Sequence, residues 1–301
     1  MGDIRLFRTR DGLVDELPGH SVSVEKSLQT QLERHLPDFL GVKFLASEFS
    51  TGKTHGGRID TLGIDENGCP VIIEYKRATN QNVINQGLFY LDWLLDHRAE
   101  FQLLVMKQVG EEEADRIEWA SPRLLCIAGN FTKYDEHAVQ QMHRNIELLR
   151  YRRYGDDLLL LELINAVTAT PDRADSTTHA GSTQFKTASE HLEQADESQR
   201  DRYEALKAFL LALGDDVQLS VLKYYFAFKR LRNFACVELR TDGRILVYVK
   251  VDAQSVELED GFTRDVTEIG HLGTGNLEIT LTTPEDLARA ESVLLQSYEA
   301  S

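Results

Sequence analysis

The sequence predicts an α/β fold, a mixed sheet flanked by helices, joined to a smaller α+β domain. Three observations carry that expectation. Apolar residues recur at helical spacing in 24–36 and 81–97, and between and after these stretches lie short runs of strand character. Segment 167–199 is rich in Ser, Thr, Ala, Asp and Gln and has almost no large apolar residue before Phe185, so its first half reads as a linker. Finally, 301 residues with 42% apolar and 27% charged side chains suffice for two globular cores. The expected domains are therefore 1–166, a linker at 167–189, and an accessory domain at 190–301.

Taken in order, residues 24–36 place Val24, Leu28, Leu32 and Leu36 on one helical stripe, with Glu25 and Glu33 beside it. Residues 58–65 (RIDTLGID) and 70–77 (PVIIEYKR) read as two strands joined by a turn carrying Asn67-Gly68. A helix is expected over 81–97, strands at 101–106 and 123–128, a helix near 134–148 and a strand at 158–164. In the second domain, 200–213 reads as a helix and 234–240, 244–251 and 277–282 as strands. A last helix follows Thr283-Pro284-Glu285-Asp286, with Thr as N-cap and Pro at the first helical position.

Composition excludes several classes of function. No apolar run approaches the ~20 residues of a membrane-spanning helix, and the N-terminal residues lack a signal-peptide stretch, so a cytoplasmic location is expected. Net charge is −16, from 33 basic and 49 acidic residues, which disfavours coating nucleic acid through a general positive field but leaves room for a local basic groove. Cys69, Cys126 and Cys236 stand far apart and read as isolated buried thiols. The histidines have no zinc-site spacing.

The chemistry concentrates in the 58–77 hairpin. Alternation puts Glu74 and Lys76 on one strand face and Tyr75 on the other. Asp60 joins them only in one register. A two-residue turn sets Asp60 opposite Tyr75, whereas a three-residue loop 66–68, which Gly68 permits, sets it opposite Glu74; the second is expected. Two carboxylates supply hard oxygen ligands for Mg²⁺ or Mn²⁺, the Tyr75 carbonyl adds a neutral one, and Lys76 suits polarising a water and countering phosphate charge. The competing reading of the trio is a cross-strand salt-bridge cluster. Gln86 and Tyr90, four residues apart, share one face of the following helix and can point at the site. Glu25 is the candidate for a further acidic ligand, with Glu33 as second choice.

In their order, GRID (57–60), VIIEYKR (71–77) and NQGLFY (85–90) resemble the motifs of PD-(D/E)XK nucleases, in their RecB-like and NucS-like branch, over roughly residues 20–110. Ile59-Asp60 stands where many members have Pro-Asp. The resemblance implies a restriction-endonuclease-like core and Mg²⁺-dependent DNA cleavage, with Asp60 and Glu74 as metal ligands, Lys76 as the catalytic lysine, Gln86 and Tyr90 as the supporting pair, and Glu25 as the upstream helix acid. Genome defence or DNA repair is the implied setting. The second domain is similar to an uncharacterised bacterial C-terminal family that accompanies such nucleases. The alternative function is a catalytically silent nucleic-acid- or protein-binding module on the same fold.

Two basic-aromatic clusters are candidate DNA contacts: Arg150, Arg152 and Arg153, and the 223–232 stretch with Lys223, Lys229, Arg230 and Arg232. Arg58, beside Asp60, is a further candidate for the scissile phosphate. TGKTHGG (51–57) contains Gly-Lys-Thr but has Ser47 where a phosphate-binding loop needs its first glycine, so no nucleotide cofactor is expected. A double-strand cutter needs two active sites, which a homodimer supplies, although no heptad or isolated apolar face argues for one.

Overall fold

The computed structural model describes residues 4–20, 25–76, 83–155, 157–167 and 187–301. The chain opens with an exposed hairpin, β1 (Leu6–Arg10) and β2 (Leu13–Leu17), and the two-residue strand β3 (Gly19–His20). Helices α1 (Glu25–Arg34) and α2 (Leu36–Leu40) precede three antiparallel strands, β4 (Val42–Ser50), β5 (Arg58–Asp65) and β6 (Pro70–Lys76), with the one-turn α3 (Gly52–His55) between the first two. Then come α4 (Val83–Asp96), α5 (Arg98–Gln108), α6 (Glu111–Asp115), β7 (Arg123–Ala128), α7 (Lys133–Gln140), β8 (Asn145–Tyr154) and β9 (Leu158–Val167). The sheet runs β3-β8-β7-β6-β5-β4, with β9 pairing β8; β6, β7 and β8 are mutually parallel and the rest antiparallel.

This is the mixed sheet flanked by helices that the sequence predicts. Its centre is apolar on both faces, as a sheet covered on both sides requires. Val71, Ile73, Tyr75, Leu125 and Ile127 meet the Leu28, Leu32, Leu36 and Leu40 stripe of α1 and α2. Leu62, Ile72, Leu124, Cys126 and Leu148 meet Ile84, Leu91, Leu94, Phe101 and Val105 of α4 and α5. Each leucine sealed in these layers contributes roughly 2–3 kcal/mol.

Two expected elements change type. Residues 101–106, expected as a strand, lie in α5: Phe101 and Val105, one helical turn apart, face the core while Leu103 and Met106 are exposed. The helix expected near 134–148 ends at Gln140, and Asn145 begins the ten-residue β8, aligned with β7.

The second unit contains α8 (Ala188–Gln194), α9 (Glu197–Ala212), β10 (Gln218–Val221), β11 (Phe226–Lys229), β12 (Asn233–Leu239), β13 (Ile245–Val249), β14 (Thr263–Asp265), β15 (Leu277–Leu281) and α10 (Glu285–Glu299). Its antiparallel sheet runs β10-β11-β12-β13-β15-β14, and residues of the helices cover one face. The last helix starts one residue later than expected, with Pro284 at the cap; Asp286 holds the entry by accepting the Thr282 and Thr283 N–H groups at 2.9 and 2.8 Å. Most of the linker expected at 167–189 lies outside the described residues. No helix among the described residues is long and apolar enough to cross a membrane. Cys69, Cys126 and Cys236 are buried free thiols.

The outer face of the second sheet packs on the 58–77 hairpin. Cys69 is buried among Leu222, Tyr225, Cys236 and Tyr248. Asn67 exchanges bonds with Asn233, whose Nδ2 donates to Asn67 Oδ1 at 2.6 Å, and the same oxygen accepts from the Tyr225 hydroxyl at 3.0 Å. Lys250 pairs with Glu66. Beneath the loop, Arg123 donates to Asp65 at 2.8 Å and to both oxygens of Glu147 at 2.8 and 2.9 Å, and Lys229 donates to Glu147 at 2.8 Å. Two cations and two anions thus neutralise one another out of water.

Candidate active site

Register decides whether the acids meet. Thr61 pairs with Ile73 and Leu62 with Ile72, which places Asp60 opposite Glu74. The loop is the expected three-residue one: Asp65 N–H donates to the Cys69 carbonyl at 2.9 Å, and Gly68 sits at φ 77°. A side chain at Gly68 would also meet the Arg116 carbonyl at 2.8 Å. Asp65 fixes the loop from within, its Oδ1 accepting the Asn67 and Cys69 N–H groups, both at 2.9 Å.

The two carboxylates are each tied to a backbone N–H of the opposing strand. Asp60 N–H donates to Glu74 Oε1 at 3.1 Å, and Tyr75 N–H donates to Asp60 Oδ2 at 3.0 Å. Gln86 Nε2 donates to Glu74 Oε2 at 2.8 Å, so α4 grips the buried acid from above. The Tyr90 hydroxyl lies 3.5 Å from Gln86 Nε2 and accepts the Arg58 N–H at 3.2 Å. Tyr90 comes this close because position 57 is glycine: a Cβ there would lie 2.6 Å from the phenol ring. Thr51 brackets the same glycine with three 3.0 Å bonds, which is the local work of the 51–57 segment.

Lys76 ends β6 half-buried, on the face of Glu74 by alternation. The Tyr75 side chain faces the other way, 3.4 Å from Thr61 Oγ1, and leaves its carbonyl between Glu74 and Lys76 in the chain. Burial, and then the Asp60 charge beside it, push the Glu74 carboxyl up to about 9. Two acids held together at this cost form an oxygen-rich, anionic pair suited to a small hard cation that keeps water ligands. Among the described residues no group of three or more Asp, Glu, His or Cys gathers, so Asp60 and Glu74 form the acidic set. The Glu25 side chain lies outside the described residues. Glu33 is on the far face, accepting from Thr61 Oγ1 at 2.6 Å and from Gln29 Nε2 at 2.9 Å.

The candidate DNA contacts divide. Arg58 is exposed beside the acids, 3.7 Å from Glu48. Arg153 reaches across to Gln31 of α1, and Arg152 is half-buried. Arg150 does not belong to a rim: it is buried, its Nε 2.9 Å from Glu162. Lys229 is likewise buried on Glu147 and serves the contact between the two units. Arg230 binds Asp216 at 2.7 Å and stacks over Tyr298, and Arg232 donates to the Ala300 carbonyl at 2.9 Å. These two arginines secure the C-terminal helix. Lys223 is exposed, but its backbone N–H is held by Glu118 at 3.2 Å and its ammonium lies over Tyr224. Tyr225, Phe226 and Phe228 are core and cannot stack on bases, whereas Tyr224 is half-buried.

Sequence reading overlooked Gln29, whose Nε2 donates to the Asp60 carbonyl at 2.7 Å and bonds Ser47 Oγ at 3.2 Å. The only signal was a polar residue inside the apolar stripe of α1. Asp65, Arg123 and Glu147 were overlooked too.

Known proteins are similar to parts of this chain or to nearly its whole length. A family described as a domain of unknown function (DUF5655) matches residues 188–301. An uncharacterized protein of Haemophilus influenzae is 26% identical over 305 residues, covering 98% of this chain and 100% of its own. Among solved structures, a repair endonuclease from Pyrococcus abyssi is similar over 44% of this chain at 18% identity, with a TM-score of 0.29. The chain spans about half the length of that enzyme, 49%.

Proposed function

We propose that this protein is a divalent-metal-dependent deoxyribonuclease that hydrolyses phosphodiester bonds at Asp60, Glu74 and Lys76. The observation that supports it most is the opposed pair Asp60–Glu74, braced by Gln86 from α4, with Lys76 two residues further along the same strand face. A salt-bridge cluster is the weaker reading, because Glu74 is fully buried and accepts from an amide side chain and a backbone N–H rather than from a cation.

Asp60 and Glu74, with the Tyr75 carbonyl and Glu25, are the groups that would hold Mg²⁺ or Mn²⁺; bound there, the ion supplies Lewis acidity and a more acidic water. Gln86 fixes one oxygen of Glu74, leaving its carboxylate a single orientation. Lys76 orients the attacking water and offsets negative charge gathering on the phosphorus oxygens, a task for a compact ammonium. Tyr90 holds the strand at Arg58, whose exposed guanidinium, 3.7 Å from Glu48, would exchange that carboxylate for the phosphate.

The test is conversion of supercoiled plasmid and of single-stranded DNA with Mg²⁺, Mn²⁺ or EDTA. Cleavage of at least one DNA is expected with metal and none in EDTA. Equal cleavage in EDTA, or no cleavage of either DNA with metal, contradicts the reading, and the latter favours the catalytically silent binding module.

A further inference from the structure

We propose that the solvent-facing side of α1 is a track for the DNA backbone, leading it to the acid pair. This inference rests on the nuclease reading and names the substrate's route. Lys26, Ser27, Thr30, Gln31, Arg34 and His35 line an open groove of about 500 Å³. Its lining side chains are lysine, arginine, histidine, hydroxyl and amide groups, on a protein whose net charge is −16, with the Glu48 carboxylate 2.9 Å from Lys26 and that of Asp38 3.7 Å from His35.

The helix sorts its charges to make this face. Glu33 turns inward, where Thr61 and Gln29 donate to it, while Arg34 and Lys26 turn outward. Arg153 extends the cationic edge from β8, its guanidinium donating to Gln31 of α1. A phosphate oxygen is the natural acceptor for such a guanidinium. The groove contains no apolar anchor for a peptide or a lipid chain.

α1 lies on the Tyr75 face of the sheet, opposite the acids, and the groove connects to them across the edge strand β4. Gln29, on the adjoining face of α1, donates to the Asp60 carbonyl at 2.7 Å. Lys26 and Arg58 converge on one carboxylate, Glu48, at 2.9 and 3.7 Å. Glu48 reaches both from a left-handed backbone, φ 52°. Lys26, Thr30 and Arg34 recur at four-residue steps, so the face extends about 12 Å, the axial length of roughly three to four nucleotides of a B-form strand. Its contacts are to phosphates only, so it positions DNA without reading sequence.

The experiment measures binding of labelled duplex and single-stranded oligonucleotides by fluorescence anisotropy, in EDTA so that nothing turns over, across 50–200 mM salt. Arg34→Glu is expected to weaken binding about 10-fold and reduce the salt slope by about one; Arg153→Ala is expected to weaken it about 3-fold. Lys107→Glu, on the exposed side of α5, is the control and stays within 2-fold of the parent. Thermal melting confirms that each variant is folded. Parent-like affinity of Arg34→Glu, or no binding by the parent, overturns the track. Metal-dependent cleavage that proceeds at the parent rate in Arg34→Glu overturns the track and leaves the nuclease reading intact. Binding that depends on Arg34, without cleavage by the parent, retains the surface and overturns the nuclease reading alone.

Discussion

Asp60→Asn and Glu74→Gln should each lower DNA cleavage by at least about 10³-fold while leaving the protein folded, the magnitude expected when a group acting on transition-state charge is removed. Both substitutions keep the shape of the side chain. In Glu74→Gln the amide oxygen still accepts from Gln86 or from the Asp60 N–H, bonds now 2.8 and 3.1 Å long. Folding is spared for a second reason: burial and then the Asp60 charge keep the metal-free Glu74 carboxyl protonated at pH 7, so the neutral amide of Glu74→Gln replaces an uncharged group. Lys76→Ala should lose turnover, about 10²-fold or more, with metal affinity nearly unchanged, because it stabilises reacting charge and ligates nothing. Single-turnover kinetics on a labelled oligonucleotide separate these cases, and parent-like rates in all three variants would remove the site assignment.

The second large effect is on stability. Glu147→Gln should cost about 3–5 kcal/mol, a large part of the 5–15 kcal/mol that holds a typical domain folded, because it leaves Arg123 and Lys229 buried with Asp65 as their one remaining anion. The cost arises from cations stranded out of water, so Lys229→Met, which removes one of them, should cost less. Burial disfavours the Glu147 carboxylate, but the Arg123 guanidinium and then the Lys229 ammonium outweigh it and hold its carboxyl down at about 2. Its folded value lies below the 4.5 of an ordinary glutamate, so this contribution is complete above about pH 4.5 and is lost as pH falls toward 2. Urea titrations of parent and variant at pH 7 and pH 3 measure both effects. A loss below 1 kcal/mol at pH 7, or an equal difference at both pH values, would show that the four charges do not act as described.

The buried charges also explain how the second unit bears on the candidate site. Asp65 holds the loop that sets the Asp60–Glu74 register, and it is the residue that Arg123 ties to Glu147 and Lys229. Asn67 and Glu66, in the same loop, are held by Asn233, Tyr225 and Lys250. The accessory sheet thereby clamps the turn of the hairpin whose far end carries the acids.

What could be read from the sequence was local. The period of two gave the shared face of Glu74 and Lys76, a glycine at 68 gave the loop length, and an i, i+4 spacing put Gln86 and Tyr90 together. What could not be read depended on distant partners. Residues 101–106 are apolar in a run too short to distinguish strand from helix, and only packing on the sheet selects Phe101 and Val105 as the buried pair. Lys229 and Arg150 look like solvent-facing bases beside aromatics, yet Glu147 and Glu162 draw them inside. Arg123, Asp65 and Glu147 are separated by 58 and 24 residues, a pairing invisible to any local pattern.

The measurement that tests the central claim most directly is a Mn²⁺ titration followed by electron paramagnetic resonance, on the parent, Asp60→Asn and Glu74→Gln, with Mg²⁺ as competitor. The account predicts Mn²⁺ bound by the parent, displaced by Mg²⁺, and lost or weakened by at least 10-fold in both variants. Binding of equal strength in all three proteins, or none in the parent, would contradict a metal site built on Asp60 and Glu74.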